Sequence, residues 1–311
     1  MITYVVRNLL QSPARVLVNT VNTVGVMGKG IAKDFKDIYP EMFKEYQSLC
    51  ERKLFKTGQL WLYKTPHKWI LNFPTKKHWK SPSKLEYIEA GLKKFAETYA
   101  EKGVTSVSFP LLGCGNGGLN WEQEVKPLVE KYLDKLPIDV FIHLYRNDPF
   151  EPEHLNINEI KSWLRSRPEC LAFGEVWEDI CSLLRSKEEF VTFSKSEKFI
   201  TRLTCDPDNG LNIITNNHVE FVHEEQLLDL WQHLRGFGFC MDRTVPSGLE
   251  NYAPFIFAVL SELPYLRPVL MGSKHSSTNK LKIGLQFIPR ADYAKSGLLQ
   301  PPPMEVTKLW K

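Results

Sequence analysis

The runs NTVNTVGVMGKGIA at residues 19–32 and PLLGCGNGGL at residues 110–119 decide how the first half of this chain folds. Each follows a short apolar, strand-like segment, Val16–Val21 in one case and Val104–Pro110 in the other, and each leads toward a helical pattern. Glycine at a strand-to-helix turn permits positive φ and lets the backbone approach a ligand, while the helix N-terminus offers unpaired N–H groups and partial positive charge. Two such loops side by side at strand ends can cradle a diphosphate. The bland alternative is that the glycines only make tight turns, which is less economical for two loops in one sheet. Neither run matches the P-loop or the dinucleotide fingerprint, so neither an NTPase nor an ordinary dehydrogenase is indicated.

Outward from these loops, apolar runs at Ile2–Val6, Leu60–Leu62, Trp69–Phe73 and Val140–Tyr145 alternate with helical patterns at Ile31–Tyr39, Glu41–Glu51, Lys84–Glu101 and Glu122–Leu133. The alternation predicts an α/β domain, a mixed sheet flanked by helices on both faces. After Tyr145 the sequence turns polar, and Pro149 and Pro152 can continue neither a helix nor a central strand. The expected boundaries are therefore 1–146 for the first domain and 153–311 for the second. The second reads as a smaller α+β domain: helical patterns at Glu159–Arg165, Gly174–Ser186, Glu224–Arg235 and Asn251–Leu263 are interspersed with β-like runs. Asp206 to Gly210 reads as a hairpin turn, and Pro301 to Pro303 as an extended end.

Of the 311 residues, 43% are hydrophobic and 24% charged, an ordinary globular composition. The net charge of +4 is uneven: residues 1–150 hold 22 Lys+Arg against 15 Asp+Glu, whereas the remainder hold 18 against 21. The first half suits an anionic partner. Six scattered cysteines form no C-x-x-C pair and no zinc-spaced cluster, so neither metal nor cofactor is expected. No charged leader with an apolar core precedes Ile2, and no apolar run approaches ~18 residues, so the expectation is a cytoplasmic protein without a membrane span.

The two glycine runs, the strand Val16–Val21 with its Asn-x-x-Asn, and NFPTKKHW at residues 72–79 together resemble the macrodomain family, the ADP-ribose-binding fold. Within it the match is to the DarG group, antitoxins that remove ADP-ribose from DNA modified by DarT toxins. The resemblance covers about residues 1–146. It implies an ADP-ribosyl glycohydrolase acting on thymidine or guanosine linkages in single-stranded DNA, with a DarT-like toxin as protein partner. It also implies roles for particular residues. Asn8 and Leu9 would meet the adenine, Asn8 standing where many macrodomains carry an Asp. Asn19 and Asn22 would lie near the distal ribose, with Gly28, Gly30 and Ile31 on the first phosphate loop. Gly113, Cys114, Gly115, Asn116, Gly117, Gly118 and Leu119 would form the second loop.

Thr75 and Lys76 match the strand end from which a family lysine approaches C1″ of the distal ribose. An amine attacks when deprotonated, a state that burial and neighbouring cations favour. A relative specific for glutamate esters carries an Asp where this chain has Asn116; an amide cannot be a general base, which points toward a nucleobase N-glycosidic linkage. Lys64, Lys68, Lys76, Lys77, His78, Trp79, Lys80 and Lys84 would give a basic DNA rim, with Trp79 a candidate stacking platform beside Lys77 and Lys80. Two other readings stay open: a non-catalytic ADP-ribose-binding module, and a protein deADP-ribosylase or ADP-ribose 1″-phosphate phosphatase. Residues 153–311 show no motif with chemistry attached, and their role as a partner-binding module follows from position alone.

Overall fold

Two adjacent strands buried on both faces lie at the centre of the first half of the molecule. The computed structural model describes residues 2–144, 153–193, 196–205, 208–216, 218–271 and 282–288. The stretch around Pro149 and Pro152, the start of the turn at Asp206, and the Pro301 to Pro303 end lie outside them. The chain divides into two compact units, Met1–Ile160 and Lys161–Lys311.

In the first unit, strands β1 (Ile2–Val5), β2 (Val16–Val21), β3 (Trp61–Lys64), β4 (Trp69–Pro74), β5 (Ser106–Pro110) and β6 (Asp139–His143) form one sheet in the order β1-β6-β5-β2-β4-β3. Every neighbouring pair is parallel except β3 and β4, which makes the sheet mixed. Helices α1 (Gly30–Ile38), α2 (Pro40–Glu51), α3 (Leu85–Thr98) and α4 (Lys126–Leu133) follow in chain order. Val16 and Val18 of β2 and Leu71 and Phe73 of β4 join Ile88, Leu92 and Phe95 of α3 and Val129 and Leu133 of α4 in one core. The intervening residues Leu17, Asn19, Ile70 and Asn72 are equally buried on the opposite face, where Asn72 reaches Met42 of α2. Both faces of the central strands are thus covered, which is why they carry no polar alternation.

The expected helix over Glu122–Leu133 is divided. A π-helical turn at Trp121–Val125 precedes α4, whose second residue, Pro127, has no N–H to continue an unbroken ladder. Asn120 caps this segment by accepting from Gln123 N at 3.0 Å, while its own N–H donates to Glu124 Oε2 at 2.7 Å.

The second unit contains most of α5 (Ile157–Arg165) with α6 (Phe173–Ser186), α7 (Glu224–Phe237) and α8 (Ala253–Leu260). Strands β7 (Glu189–Val191), β8 (Lys198–Thr204), β9 (Gly210–Ile214) and β10 (Val219–His223) form an antiparallel sheet. A second antiparallel sheet has β13 (Lys282–Phe287) between β11 (Phe239–Met241) and β12 (Leu266–Met271). Arg165 grips Asp179 with two N–H groups, at 2.9 and 2.7 Å, and Tyr265 donates to the same carboxylate at 3.1 Å. This cluster ties α5 and α6 to the residue preceding β12.

Gly91 illustrates how tightly α3 meets the sheet, because a Cβ there would lie 2.2 Å from Phe73 Cζ. Alanine normally stabilises a helix interior relative to glycine by roughly 1 kcal/mol. Here overpacking reverses the sign: Gly91→Ala should destabilise the first unit by about 1–3 kcal/mol in denaturant melts followed by tryptophan fluorescence.

Candidate active site

A cavity of about 730 Å³ opens where the parallel strands end. It receives Arg7, Asn8 and Leu9 after β1, Asn22, Val26 and Gly28 to Asp34 after β2, Thr75 and Lys76 after β4, Gly113 to Gly117 after β5, and His143 at the end of β6. Open α/β sheets place ligands outside the carboxyl ends of their strands in this manner.

The first loop is folded around one side chain. Asn22 Oδ1 accepts from the N–H groups of Val24 and Val26 at 3.1 and 3.3 Å, and its Nδ2 donates to Val26 O at 2.6 Å. Tyr46 of α2 donates to Asn22 O at 2.8 Å, and Gln47 to Gly25 O at 3.2 Å. The chain is thereby delivered to Gly30, at φ +59°, where α1 begins without a side-chain cap. The leading amides of an uncapped helix have no intrahelical partner and sit at its positive pole. Here they border the cavity.

The second loop turns at Gly113, φ +70°, and is closed by Leu119 N donating to Gly113 O at 3.0 Å and Gly118 N to Gly115 O at 3.1 Å. Ser83 N donates to Gly117 O at 2.9 Å from outside. A Cβ on Gly117 would lie 2.3 Å from Gly113 O, so only glycine fits. The amides of Gly115, Asn116 and Gly117 make no hydrogen bond among the described residues. Consecutive amides of this kind and the start of α1 are what an anionic diphosphate requires.

Lys76 lies between the two loops. It is 6% exposed, and its Nζ donates to the backbone oxygen of Asn116 at 2.7 Å. The next residue is pinned from the first loop, with Thr23 donating to Lys77 O through N at 3.2 Å and Oγ1 at 2.8 Å. Arg7, Lys29 and Lys33 join Lys76 in the lining, whose acidic member is Asp34. Burial raises the Asp34 carboxyl above its ordinary range, Lys33 opposes this, and Asp37 adds to it. The wall suits a polyanion.

Most of the residues singled out by sequence come together here: Asn8, Leu9, Asn22, Gly28, Gly30, Ile31, Thr75, Lys76, Gly113, Cys114, Gly115, Asn116 and Gly117 all line the cavity. Gly118 and Leu119 are not in its lining; they close the loop from behind, and Leu119 packs on the core. Asn19 also lies away from it, fully buried, with Nδ2 donating to Asn72 Oδ1 at 2.9 Å. Asn8 Oδ1 accepts from Leu10 N at 2.9 Å, capping the short turn Leu9–Gln11 and using one of the lone pairs expected to meet an adenine.

Two expectations about the rim are overturned. Trp79 is 0% exposed, so no base can stack on it; it anchors the 77–84 segment instead. Lys64 and Lys68 sit at the β3–β4 turn, at the end of β4 opposite from Lys76, because β3 runs antiparallel to β4. There Lys68 Nζ donates to Ser12 O at 2.8 Å and Ala14 O at 2.6 Å, and Lys64 lies 4.0 Å from the Trp69 ring. Lys77 and Lys84 remain exposed on the site side and Lys80 is half-buried.

Arg7, Lys29, Lys33, Asp34 and His143 line the cavity although the sequence reading did not select them. A polar residue within two positions of a strand's carboxyl end was the available signal for Arg7 and His143. Since Arg7 O can only accept, the His143 Nδ1 at 2.9 Å carries the proton, and Nε2 accepts from the Ser108 hydroxyl at 3.3 Å. Ser12 Oγ completes the chain 2.5 Å from Ser108 Oγ.

Residues 18–127 match the family described as Macro domain. A DNA ADP-ribosyl glycohydrolase of Thermus aquaticus is 41% identical over 174 residues, covering 54% of this chain and 47% of that protein. A DNA ADP-ribosyl transferase-DNA ADP-ribosyl glycohydrolase fusion protein of Thermosipho africanus is 38% identical over 152 residues, covering 43% of this chain and 39% of that protein. Among solved structures, the macrodomain of Mycobacterium tuberculosis DarG is 47% identical, with 46% of this chain and 97% of that one covered and a TM-score of 0.45. The chain spans less than half the length of the curated relatives it matches. Among the described residues no helix is long and apolar enough to cross a membrane.

Burial lowers the His143 imidazole below its ordinary 6.5, with the Arg7 carbonyl opposing. A depressed histidine gives stability that is fully present above the unfolded value and lost as pH falls through the folded one. Wild type should therefore lose more stability than His143→Gln between about pH 7 and pH 5 in paired denaturant titrations. Equal losses would remove His143 from the account.

Proposed function

We propose that this chain, whose residues 18–127 match the macro domain family, is an ADP-ribosyl glycohydrolase that removes ADP-ribose from nucleobases of single-stranded DNA. The observation that carries the reading is the buried Lys76 ammonium group held at the Asn116 carbonyl between two loops fit for a diphosphate. The Thermus aquaticus relative, a DNA ADP-ribosyl glycohydrolase, supports the substrate class. In this reading the loop amides and the start of α1 hold the diphosphate. Lys76, once deprotonated, attacks C1″ of the distal ribose; the C1″–base bond breaks, the base leaves with a proton, and water then hydrolyses the lysine–C1″ bond. The two loops bring the anomeric carbon and the amine together, and Asn116 holds Nζ in place rather than acting as a base.

A second component of the reading is an antitoxin role. The Thermosipho africanus relative joins a transferase and a glycohydrolase in one chain, which favours pairing of this protein with a DarT-like DNA ADP-ribosyltransferase. We assign the second unit, a smaller α+β domain, to holding that partner. Full-length chain and a catalytically dead transferase should co-elute on size exclusion; separate elution would confine the protein to repair of the modified base.

Lys76→Ala and Lys76→Arg separate catalysis from binding. Arginine keeps the charge and a donor toward Asn116 but cannot be deprotonated. Both variants should release ADP-ribose from modified single-stranded DNA at least about 100-fold more slowly than wild type, with affinity for free ADP-ribose changed only a few-fold. An active Lys76→Arg enzyme would exclude the nucleophile role, and an inactive wild type would exclude the enzyme.

A further inference from the structure

Trp79 is buried, but another aromatic ring, Tyr87, stands beside the exposed lysines Lys77 and Lys84. The half-buried Tyr87 ring has the Nζ atoms of both Lys77 and Lys84 at 5.8 Å from its centroid. That is near the ~6 Å limit of cation–π attraction, so the two ammonium groups are loosely held and free to turn toward phosphates. Residues 75–84 contain Lys76, Lys77, Lys80 and Lys84 and no acidic residue. Glu86 lies 3.8 Å from Lys84 with both side chains exposed, an arrangement worth little in water.

The segment bearing these lysines is rigid before any strand arrives. Trp79 is fully buried beneath it. Thr23 fixes Lys77 O at one end, Ser83 N is bonded to Gly117 O at the other, and Lys80 N donates to His78 Nδ1 at 3.1 Å between them. Lys80 Nζ rests 5.2 Å from the Trp79 ring. Tyr87 is further fixed by its place in the first turn of α3, where its N–H bonds to Lys84 O at 3.0 Å. A preorganised aromatic flanked by cations meets the two requirements of single-strand binding, a face for a base and charge for its backbone.

We propose that Lys77, Tyr87 and Lys84 form a docking platform for the single strand that flanks the modified base, with Tyr87 stacking on a nucleobase and the two lysines contacting phosphates. The proposal rests on the reading of this chain as a DNA ADP-ribosyl glycohydrolase. The platform begins one residue from Lys76, so the nucleotides beside the reacting linkage pass over it. Because it reads a base face and a backbone, it tolerates many sequences.

The test uses the full chain and an unmodified, labelled single-stranded DNA oligonucleotide of about 12 nucleotides, a length within the range such surfaces cover. In fluorescence anisotropy, Tyr87→Ala should weaken binding about tenfold and Tyr87→Phe about twofold or less. Lys84→Ala should reduce the slope of log affinity against log salt by about 0.7. Calorimetry with free ADP-ribose should give the same affinity for Tyr87→Ala and wild type. The platform is overturned if Tyr87→Ala binds the oligonucleotide like wild type, or if it loses ADP-ribose affinity to the same extent. A Tyr87-dependent wild type that releases no ADP-ribose from modified DNA would keep the platform and reject the enzymatic reading.

Discussion

Gly30 and Asn116 approach so closely that a methyl group on Gly30 would lie 2.7 Å from Asn116 Nδ2. This contact across the cavity sets the distance between the two glycine loops. The backbone oxygen of the same Asn116 holds Lys76 Nζ, and its neighbour Gly117 is held by Ser83. One loop residue therefore fixes the gap through its side chain and the lysine through its carbonyl. Glycine suits position 30 because φ is positive there and a Cβ would push the Asn116 amide away, a constraint of backbone geometry rather than of chemistry at the glycine itself.

Which parts of this were legible follows from what each signal measures. The two loops could be read because glycine spacing at a strand-to-helix junction reports a local conformation, and local conformation survived into the fold. Trp79 could not be placed, since one aromatic within a basic run looks the same whether it anchors the loop or faces solvent. Tyr87 was hidden by its position inside a helical pattern, where it counted as an ordinary amphipathic residue. Lys64 and Lys68 were grouped with Lys76 by sequence proximity, but the antiparallel pairing of β3 with β4 places their turn at the opposite end of β4. Sequence distance is a poor guide to which end of a strand a residue occupies.

The same correction changes the meaning of the positive charge on the first half of the chain. It does not gather at one rim. Lys64 and Lys68 belong to a group with Arg15 around Trp69, whereas Lys76, Lys77, Lys80 and Lys84 lie on the connection from β4 to α3. The cavity is lined by Lys76 of the second group and by neither lysine of the first. The effective field at the site is thus carried by that connection together with Arg7, Lys29 and Lys33, a smaller but better oriented set than the net charge suggests.

Asn19 completes the account from below the cavity. On a strand buried from both sides, alternation does not reveal which face a residue takes, so an asparagine near a glycine loop is readily assigned to the ligand. Here it faces the helix α2 side, paired with Asn72 directly across from it in the β2–β4 register. A buried amide left without its partner costs roughly 1–3 kcal/mol. Sliding β4 by one residue against β2 would strand two such amides and turn every apolar side chain of the strand to the wrong face. The pair therefore selects one register, and that register brings Thr75 N to Val21 O at 2.9 Å and Lys76 to the edge of the first loop. Asn19 acts on the proposed chemistry by fixing where the lysine stands, without touching the ligand.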